Sequence, residues 1–271
     1  MRKQAKGAQK FNVGDEICGV TLFGGYSTEI IARESSLRRL PEGWKLEEAA
    51  ALLVPNLTAY HAINNVAHIK DAETILVHSA AGGVGSALLQ QAKELGCKTI
   101  AVVGRAEKIN AAERFGASHV IVKSDQLWAE VDRIAPGGLD VVFDANGLTT
   151  PKPGYDRLKL GGRLVICGFA ELFPRGKRPW LPTLAYRSLK VPKFRIRKMT
   201  STNRTIAGFN IAFLFEREDL SGPALDYIVN GASGGKIHKP TLKIYDFNEA
   251  TDAHKYLESG DSIGRVILAV G

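Results

Sequence analysis

Cysteine is scarce in this chain of 271 residues: Cys18, Cys97 and Cys167 are its only three, and they stand far apart. An odd, dispersed set argues against a disulfide framework and against a clustered structural zinc site, and it fits a reducing compartment. No run of 18 apolar residues occurs, so no membrane-spanning helix is expected. Met1-Arg2-Lys3 is a basic start with no apolar segment behind it, which excludes a secretory signal; the expected location is cytoplasmic. The histidines (His61, His68, His78, His119, His238 and His254) show no HExxH spacing and no cysteine partner, so no metal is expected. Ser79 lacks a G-x-S-x-G elbow, which sets acyl transfer aside. With 45% hydrophobic and 24% charged residues, the disordered and fibrous classes are excluded. The length suits one large domain or two modest ones.

Acid is nearly missing from one stretch. Residues 171–204 hold ten bases and a single acid, Glu171, and the first ten residues add four bases and no acid. The formal charge of +8 is therefore concentrated, and the rest of the chain is slightly acidic. Segment 171–204 also mixes Pro174, Pro179, Pro182 and Pro192 with Phe173, Trp180, Leu181, Tyr186 and Phe194. It reads as a long excursion or pocket lid. A second reading is an interfacial segment that meets an anionic membrane. Nucleic acid is not the expected partner.

The remainder is ordered by hydrophobic rhythm. Residues 11–17, 18–20 and 28–31 read as short strands. From 46 to about 67 the apolar spacing is helical, and Pro55 is expected to bend or divide that helix. Apolar strands then fall at 74–78, 99–103, 119–122, 140–143 and 163–167. Helical segments alternate with them at 84–95, 107–115 and 125–134, and one more closes at 158–160. Apolar strands joined by helices predict an α/β fold with a doubly wound parallel sheet. Regular structure resumes near Ile206, with a helix around 224–229 and a strand–helix–strand ending.

The stretch Val77-His78-Ser79-Ala80-Ala81-Gly82-Gly83-Val84-Gly85 lies between the first of those strands and a helix. A pyrophosphate needs a tight turn that exposes backbone N–H groups at the positive end of a helix. Gly82 lets the backbone approach the pyrophosphate and Gly85 lets the helix pack on the strand, while Ala80 replaces the first glycine of the usual pattern. An acid at the end of the second strand would select NAD. Arg105 stands there instead, followed by Lys108, and Lys123 follows the third strand. Cations suit a 2′-phosphate, so the expected cofactor is NADPH.

The order Val13-Gly14-Asp15, Gly25-Tyr26, Leu40-Pro41, Glu48-Ala49-Ala50, Thr58-Ala59-Tyr60, Leu76-Val77-His78, Ala81-Gly82-Gly83-Val84-Gly85, Phe115-Gly116-Ala117, Asp144-x-x-Gly147, Gly161-Gly162-Arg163 and Gly264-Arg265-Val266 resembles the medium-chain dehydrogenase/reductase superfamily. Within it, the chain looks like the zinc-independent quinone oxidoreductase branch. Ala207-Gly208-Phe209-Asn210 with Phe213-Leu214-Phe215 is similar to the vesicle amine transport protein subgroup. The resemblance covers nearly all of residues 10–271.

It implies a Rossmann cofactor domain at 46–235, inserted into a shortened GroES-like β-barrel catalytic domain made of 1–45 and 236–271. Relatives usually carry some tens of residues before the Val-Gly-Asp turn, and a short basic stretch stands there in this chain. Val54 occupies the position of a zinc-binding cysteine in the alcohol dehydrogenase relatives, which fits the zinc-free branch. The resemblance adds Asn146, Gly147, Gly168, Phe169 and Arg265 to the expected cofactor contacts. It also runs the long helix beside the nicotinamide, which makes Asn56 and Tyr60 candidate substrate-pocket residues; helix packing is the other reading of Asn56. It implies a homodimer joined by an edge strand at 206–209. His78 reads as a packed, hydrogen-bonded histidine rather than a base. Hydride transfer to an enone or quinone needs little acid–base chemistry from the protein, so no catalytic acid is assigned. The expected function is hydride transfer from NADPH to a quinone or α,β-unsaturated carbonyl. Enoyl reduction of an acyl thioester is an alternative, as is a membrane-associated or partner-binding protein that keeps the fold with little turnover.

Overall fold

The computed structural model describes residues 1, 3, 9–172 and 181–270. The expectations placed on Phe173, Pro174, Pro179 and Trp180, and on most of the basic N-terminal stretch, lie outside those residues.

The chain opens with an antiparallel pair, β1 (Ile17–Gly19) and β2 (Leu37–Arg39), with Ile17 opposite Arg39. The strand expected at 28–31 is not formed: Ile30 and Ile31 have the β-branched character of a strand but are 49% and 100% exposed, with no partner strand beside them among the described residues. α1 (Leu46–Ala50) and α2 (Leu53–Tyr60) follow, and α2 continues as a π-helix over His61–Ala67. The long helix is indeed divided, but at Ala51 and Leu52. Pro55 sits in the first turn of α2, where its missing N–H leaves no intrahelical bond unmade.

The alternating region is β3 (Thr74–His78), α3 (Gly83–Glu94), β4 (Lys98–Val103), α4 (Ile109–Arg114), β5 (His119–Val122), α5 (Leu127–Ile134), β6 (Leu139–Asp144), α6 (Pro151–Asp156) and β7 (Leu158–Ile166). Leu158-Lys159-Leu160 opens β7 rather than closing a helix. Leu139 pairs with Leu158 and Val141 with Arg163, so a bulge at left-handed Gly161 (φ +79°) absorbs the extra residues. After α7 (Leu181–Leu189) and α8 (Ile196–Thr202), β8 (Thr205–Gly208) joins the far edge. The result is one six-stranded sheet in the order β5-β4-β3-β6-β7-β8, with every pairing parallel.

Both faces of the sheet are covered at its centre, which is why β3, β4 and β6 are largely apolar runs. Ile75 and Val77 of β3 enter one core with Leu88, Leu89 and Val103, while Leu76 enters the other with Ile100, Val131 and Tyr155. A third core holds Cys18, Val20 and Trp44 against Leu53 and Leu57 of α2 and Leu225 and Ile228 of α9 (Glu218–Ser233). α2 thus serves two cores, since Ala59 and the following Ile63 belong to the first. The chain ends with β9 (Leu242–Asp246), α10 (Ala250–Ser259) and β10 (Arg265–Ala269), where β9 and β10 pair in parallel. Outside the large sheet the described strands therefore form two separate two-stranded ladders. Among the described residues no helix is long and apolar enough to cross a membrane.

Candidate functional site

The strand order reverses between β3 and β6, and the carboxyl ends of those strands open a crevice. The loop after β3 is tight. Ser79 takes a left-handed conformation (φ +54°), Gly82 N–H donates to Ser79 O at 3.0 Å, and Ala80 N–H donates across to Val102 O at 3.0 Å. Gly82 caps α3, whose first turn presents backbone N–H groups that the helix itself cannot satisfy. A Cβ on Gly85 would stand 2.4 Å from Ser79 O and 2.7 Å from Ala80 Cα, so only glycine permits this approach of helix to loop.

Asp144, fully buried at the end of β6, fixes the opposite wall. Its Oδ1 accepts from the N–H groups of Asn146 and Gly147, each at 2.8 Å, and its Oδ2 accepts from Thr150 Oγ1. Asn146 in turn lies 3.3 Å from Ser79 Oγ, linking the two turns across the switch point. His78 Nε2 is 3.9 Å from Asp144 Oδ2, and neither ring nitrogen has a hydrogen-bond partner among the described residues. Burial drives the His78 pKa down to about 4 despite the Asp144 charge, so the ring is neutral. The histidine is packed as the sequence suggests, but it makes no hydrogen bond among the described residues. Burial, with the Asp144 charge second, pushes the Cys167 thiol up to about 12, so it is no nucleophile.

These turns floor a cleft of 1530 Å³. Ala81, Gly82, Arg105, Lys108, Lys123 and Asn146 all line it, which brings the loop and the three expected cations into one cavity. None of the cations stands alone. Arg105 pairs with Asp261, Lys108 Nζ donates to Gly260 O at 2.9 Å and Ser262 O at 2.8 Å, and Lys123 pairs with Glu171 at 2.6 Å. Burial works against the Glu171 carboxylate, but Lys123 and Thr149 outweigh it and hold its pKa below the usual range.

The described part of the basic segment covers this cleft. Thr183, Tyr186, Arg187 and Lys190 line it, the first three from one face of α7 and Lys190 from just beyond its end. Arg187 Nη1 donates to Glu171 O at 3.1 Å. The sequence reading missed this helical face because it weighed the proline and charge content of the segment. The i, i+3, i+4, i+7 spacing of the four residues was the available signal. It also missed Asp261 and Glu171, which only the tertiary fold brings to the cations.

Gly83, Val84 and Gly85 form the first turn of α3; the Val84 side chain rests against the core, and Gly85 packs on the Ser79–Ala80 backbone. Gly147 (φ +79°), Gly168 and Phe169 pack on one another beside the cleft: a Cβ on Gly147 would meet Phe169 Cδ1 at 2.4 Å. The Arg265 guanidinium is buried behind the loop, reaches Ala51 O at 3.3 Å and Gly83 O, and fills the space above Gly83. Burial lowers its pKa to about 10. Asn56 and Tyr60 both make packing contacts from α2, which for Asn56 is the helix-packing reading. Asn56 Nδ2 donates to Leu52 O at 2.8 Å and Asn56 Oδ1 accepts from Gln91 at 3.3 Å, while the Tyr60 ring packs on Tyr227 with 5.0 Å between centroids. Among the described residues no group of three or more His, Cys, Asp or Glu side chains forms a metal site.

A parallel sheet in this order, with a glycine loop and a helix N-terminus at its switch point, is the arrangement of the dinucleotide-binding α/β class. The residues present fit such a ligand: a helix start faces the crevice and cations line the end of β4. The family model for zinc-binding dehydrogenases matches residues 83–229. The chain belongs to that family, on the zinc-independent, VAT-1-like side of the medium-chain dehydrogenase/reductase superfamily. A synaptic vesicle membrane protein VAT-1 homolog of Danio rerio is 28% identical over 257 residues, or 94% of this chain and 53% of that protein. The 2-haloacrylate reductase of a Burkholderia sp is 27% identical over 267 residues, 97% of this chain and 76% of that enzyme. The Escherichia coli quinone oxidoreductase, solved as a complex with NADPH, superposes with a TM-score of 0.82 at 25% identity, covering 99% of this chain and 79% of that one. The chain spans 53% to 68% of the VAT-1 homologs of fish and mammals.

Proposed function

We propose that the protein is an oxidoreductase that binds NADPH in this cleft and delivers hydride to a quinone or an α,β-unsaturated carbonyl. The observation that carries the reading is the convergence of Arg105, Lys108 and Lys123 on the cavity floored by the Ala81–Gly82 turn. The solved relative complexed with NADPH supports the cofactor, and the reductase names among the relatives support the reaction class. When bound, the nicotinamide supplies the hydride. The chain's own part is to seat the pyrophosphate on the first turn of α3 and to meet the 2′-phosphate with Arg105 and Lys108. α7 then excludes water from above. On this reading residues 46–235 form the cofactor domain, with 1–45 and 236–271 on the substrate side.

A second reading is peripheral contact with an anionic membrane. Leu181, Leu189 and Ile196, at 76%, 80% and 77% exposure, stand among Lys193, Arg195 and Arg197. An acyl thioester remains an alternative acceptor. The test is a turnover assay in which NADPH oxidation is followed with a panel of quinones, enones and an enoyl thioester. Consumption that depends on one acceptor class supports the reading and names the class. No consumption with any of them contradicts it.

A further inference from the structure

We infer that Asp261 sets the balance between NADPH and NADH in this cleft, an inference that rests on the nicotinamide reading above. The two cations at the end of β4 both meet one short stretch of chain far away in sequence. Arg105 Nη1 pairs with the Asp261 carboxylate, and Lys108 Nζ donates to the carbonyls on either side of it, those of Gly260 and Ser262. Gly260 and Ser262 also form part of the cleft wall.

The stretch is built to aim that carboxylate. α10 ends at Gly260 in the left-handed conformation (φ +77°), which turns the chain back toward β4. The next residue is pinned, because the Asp261 N–H donates to Ser259 Oγ at 3.0 Å. The carboxylate therefore reaches Arg105 from a fixed turn, with Lys108 clamping the same turn through its carbonyls.

A carboxylate in that place acts on the two cofactors in opposite directions. It competes with a 2′-phosphate for Arg105 and repels it by charge. To a cofactor with a free 2′-hydroxyl it offers the acceptor that β4 lacks, because NAD sites hold that hydroxyl with an acid. Asp261, arriving from the C-terminal segment, takes the part that an acid at the end of the second strand plays elsewhere. The protein consequently discriminates between the two cofactors less than Arg105 alone would dictate.

The test is separate binding titrations of NADPH and NADH on the full chain and on Asp261→Asn, which keeps the shape of the side chain and removes its charge. The variant is expected to bind NADPH about two- to fivefold tighter, the range open to a half-exposed charge pair, and to bind NADH no tighter than before. Ser259→Ala, which frees the turn, is expected to move the ratio in the same direction by a smaller factor. Both positions lie on an exposed turn, and an unchanged thermal unfolding midpoint verifies the fold. If both cofactors bind and the ratio in Asp261→Asn stays within about twofold of the wild type, the assignment to Asp261 is overturned while the nicotinamide reading stands. If the wild type binds neither cofactor, both are overturned.

Discussion

Gly85, in the first turn of α3, and Gly104, in the cleft wall, have opposite freedom. A Cβ on Gly85 would press into Ser79 O and Ala80, which are backbone atoms of a turn that cannot move without breaking the Gly82-to-Ser79 bond. A Cβ on Gly104 would meet nothing within 4 Å. Gly85→Ala is expected to cost about 1–3 kcal/mol, the usual range for overpacking, and Gly104→Ala to leave stability unchanged. Urea unfolding of the two variants checks this, and equal midpoints would contradict the packing role of Gly85. His78 gives a pH dependence. Its folded pKa, about 4, lies below its ordinary 6.5, so between those values the unfolded chain takes up a proton that the fold refuses. Its contribution is therefore intact above about pH 6.5 and is lost as pH falls, at up to about 1.4 kcal/mol per pH unit. Comparing unfolding midpoints at about pH 7.5 and pH 5 for the wild type and His78→Leu isolates the effect: the wild type should lose more. At this scale the sequence was readable where a residue serves its own turn. Gly85 was legible from loop spacing, whereas the bond of Arg265 to Gly83 joins residues 182 apart and left no local trace.

Elements carried most of the legible information. The five buried strands and their helices could be read because burial on both faces demands continuous apolar runs, and helix and strand differ in period. The errors have identifiable causes. β7 begins at Leu158 because Leu158 pairs with Leu139, a partner no local window contains. The strand expected at 28–31 had the right residues and no partner. α7 was obscured by the composition around it, yet it places Thr183, Tyr186 and Arg187 in the cleft wall. Arg187→Ala should therefore weaken NADPH binding by about three- to tenfold, through loss of its tie to Glu171 and of a nearby cation. Neutralising Lys193, Arg195, Arg197 and Lys198, which do not line the cleft, should leave that affinity unchanged. Co-sedimentation of both variants with anionic and neutral vesicles, at low and physiological salt, addresses the membrane reading. Salt-sensitive pelleting lost only in the fourfold variant would support it, and no pelleting of the wild type with anionic vesicles would end it.

At the scale of the whole molecule, β8 closes one edge of the sheet and pairs with β7 alone among the described strands. An edge of this kind is an association site, and we propose that two copies pair along it. Sedimentation at micromolar concentration should then show a dimer, and Thr205→Lys, a charge on the exposed edge, should shift it toward monomer. A wild-type monomer would contradict the proposal. The central claim remains that the cleft over the β3–β6 switch point binds a nicotinamide dinucleotide and favours the 2′-phosphorylated form. Titration of the wild type and of Arg105→Asp with NADPH and with NADH tests it most directly. Saturable NADPH binding, tighter than NADH binding in the wild type and with that preference lost or reversed in Arg105→Asp, is the predicted result. Tighter binding of NADH by the wild type, or a preference that Arg105→Asp leaves untouched, would contradict it.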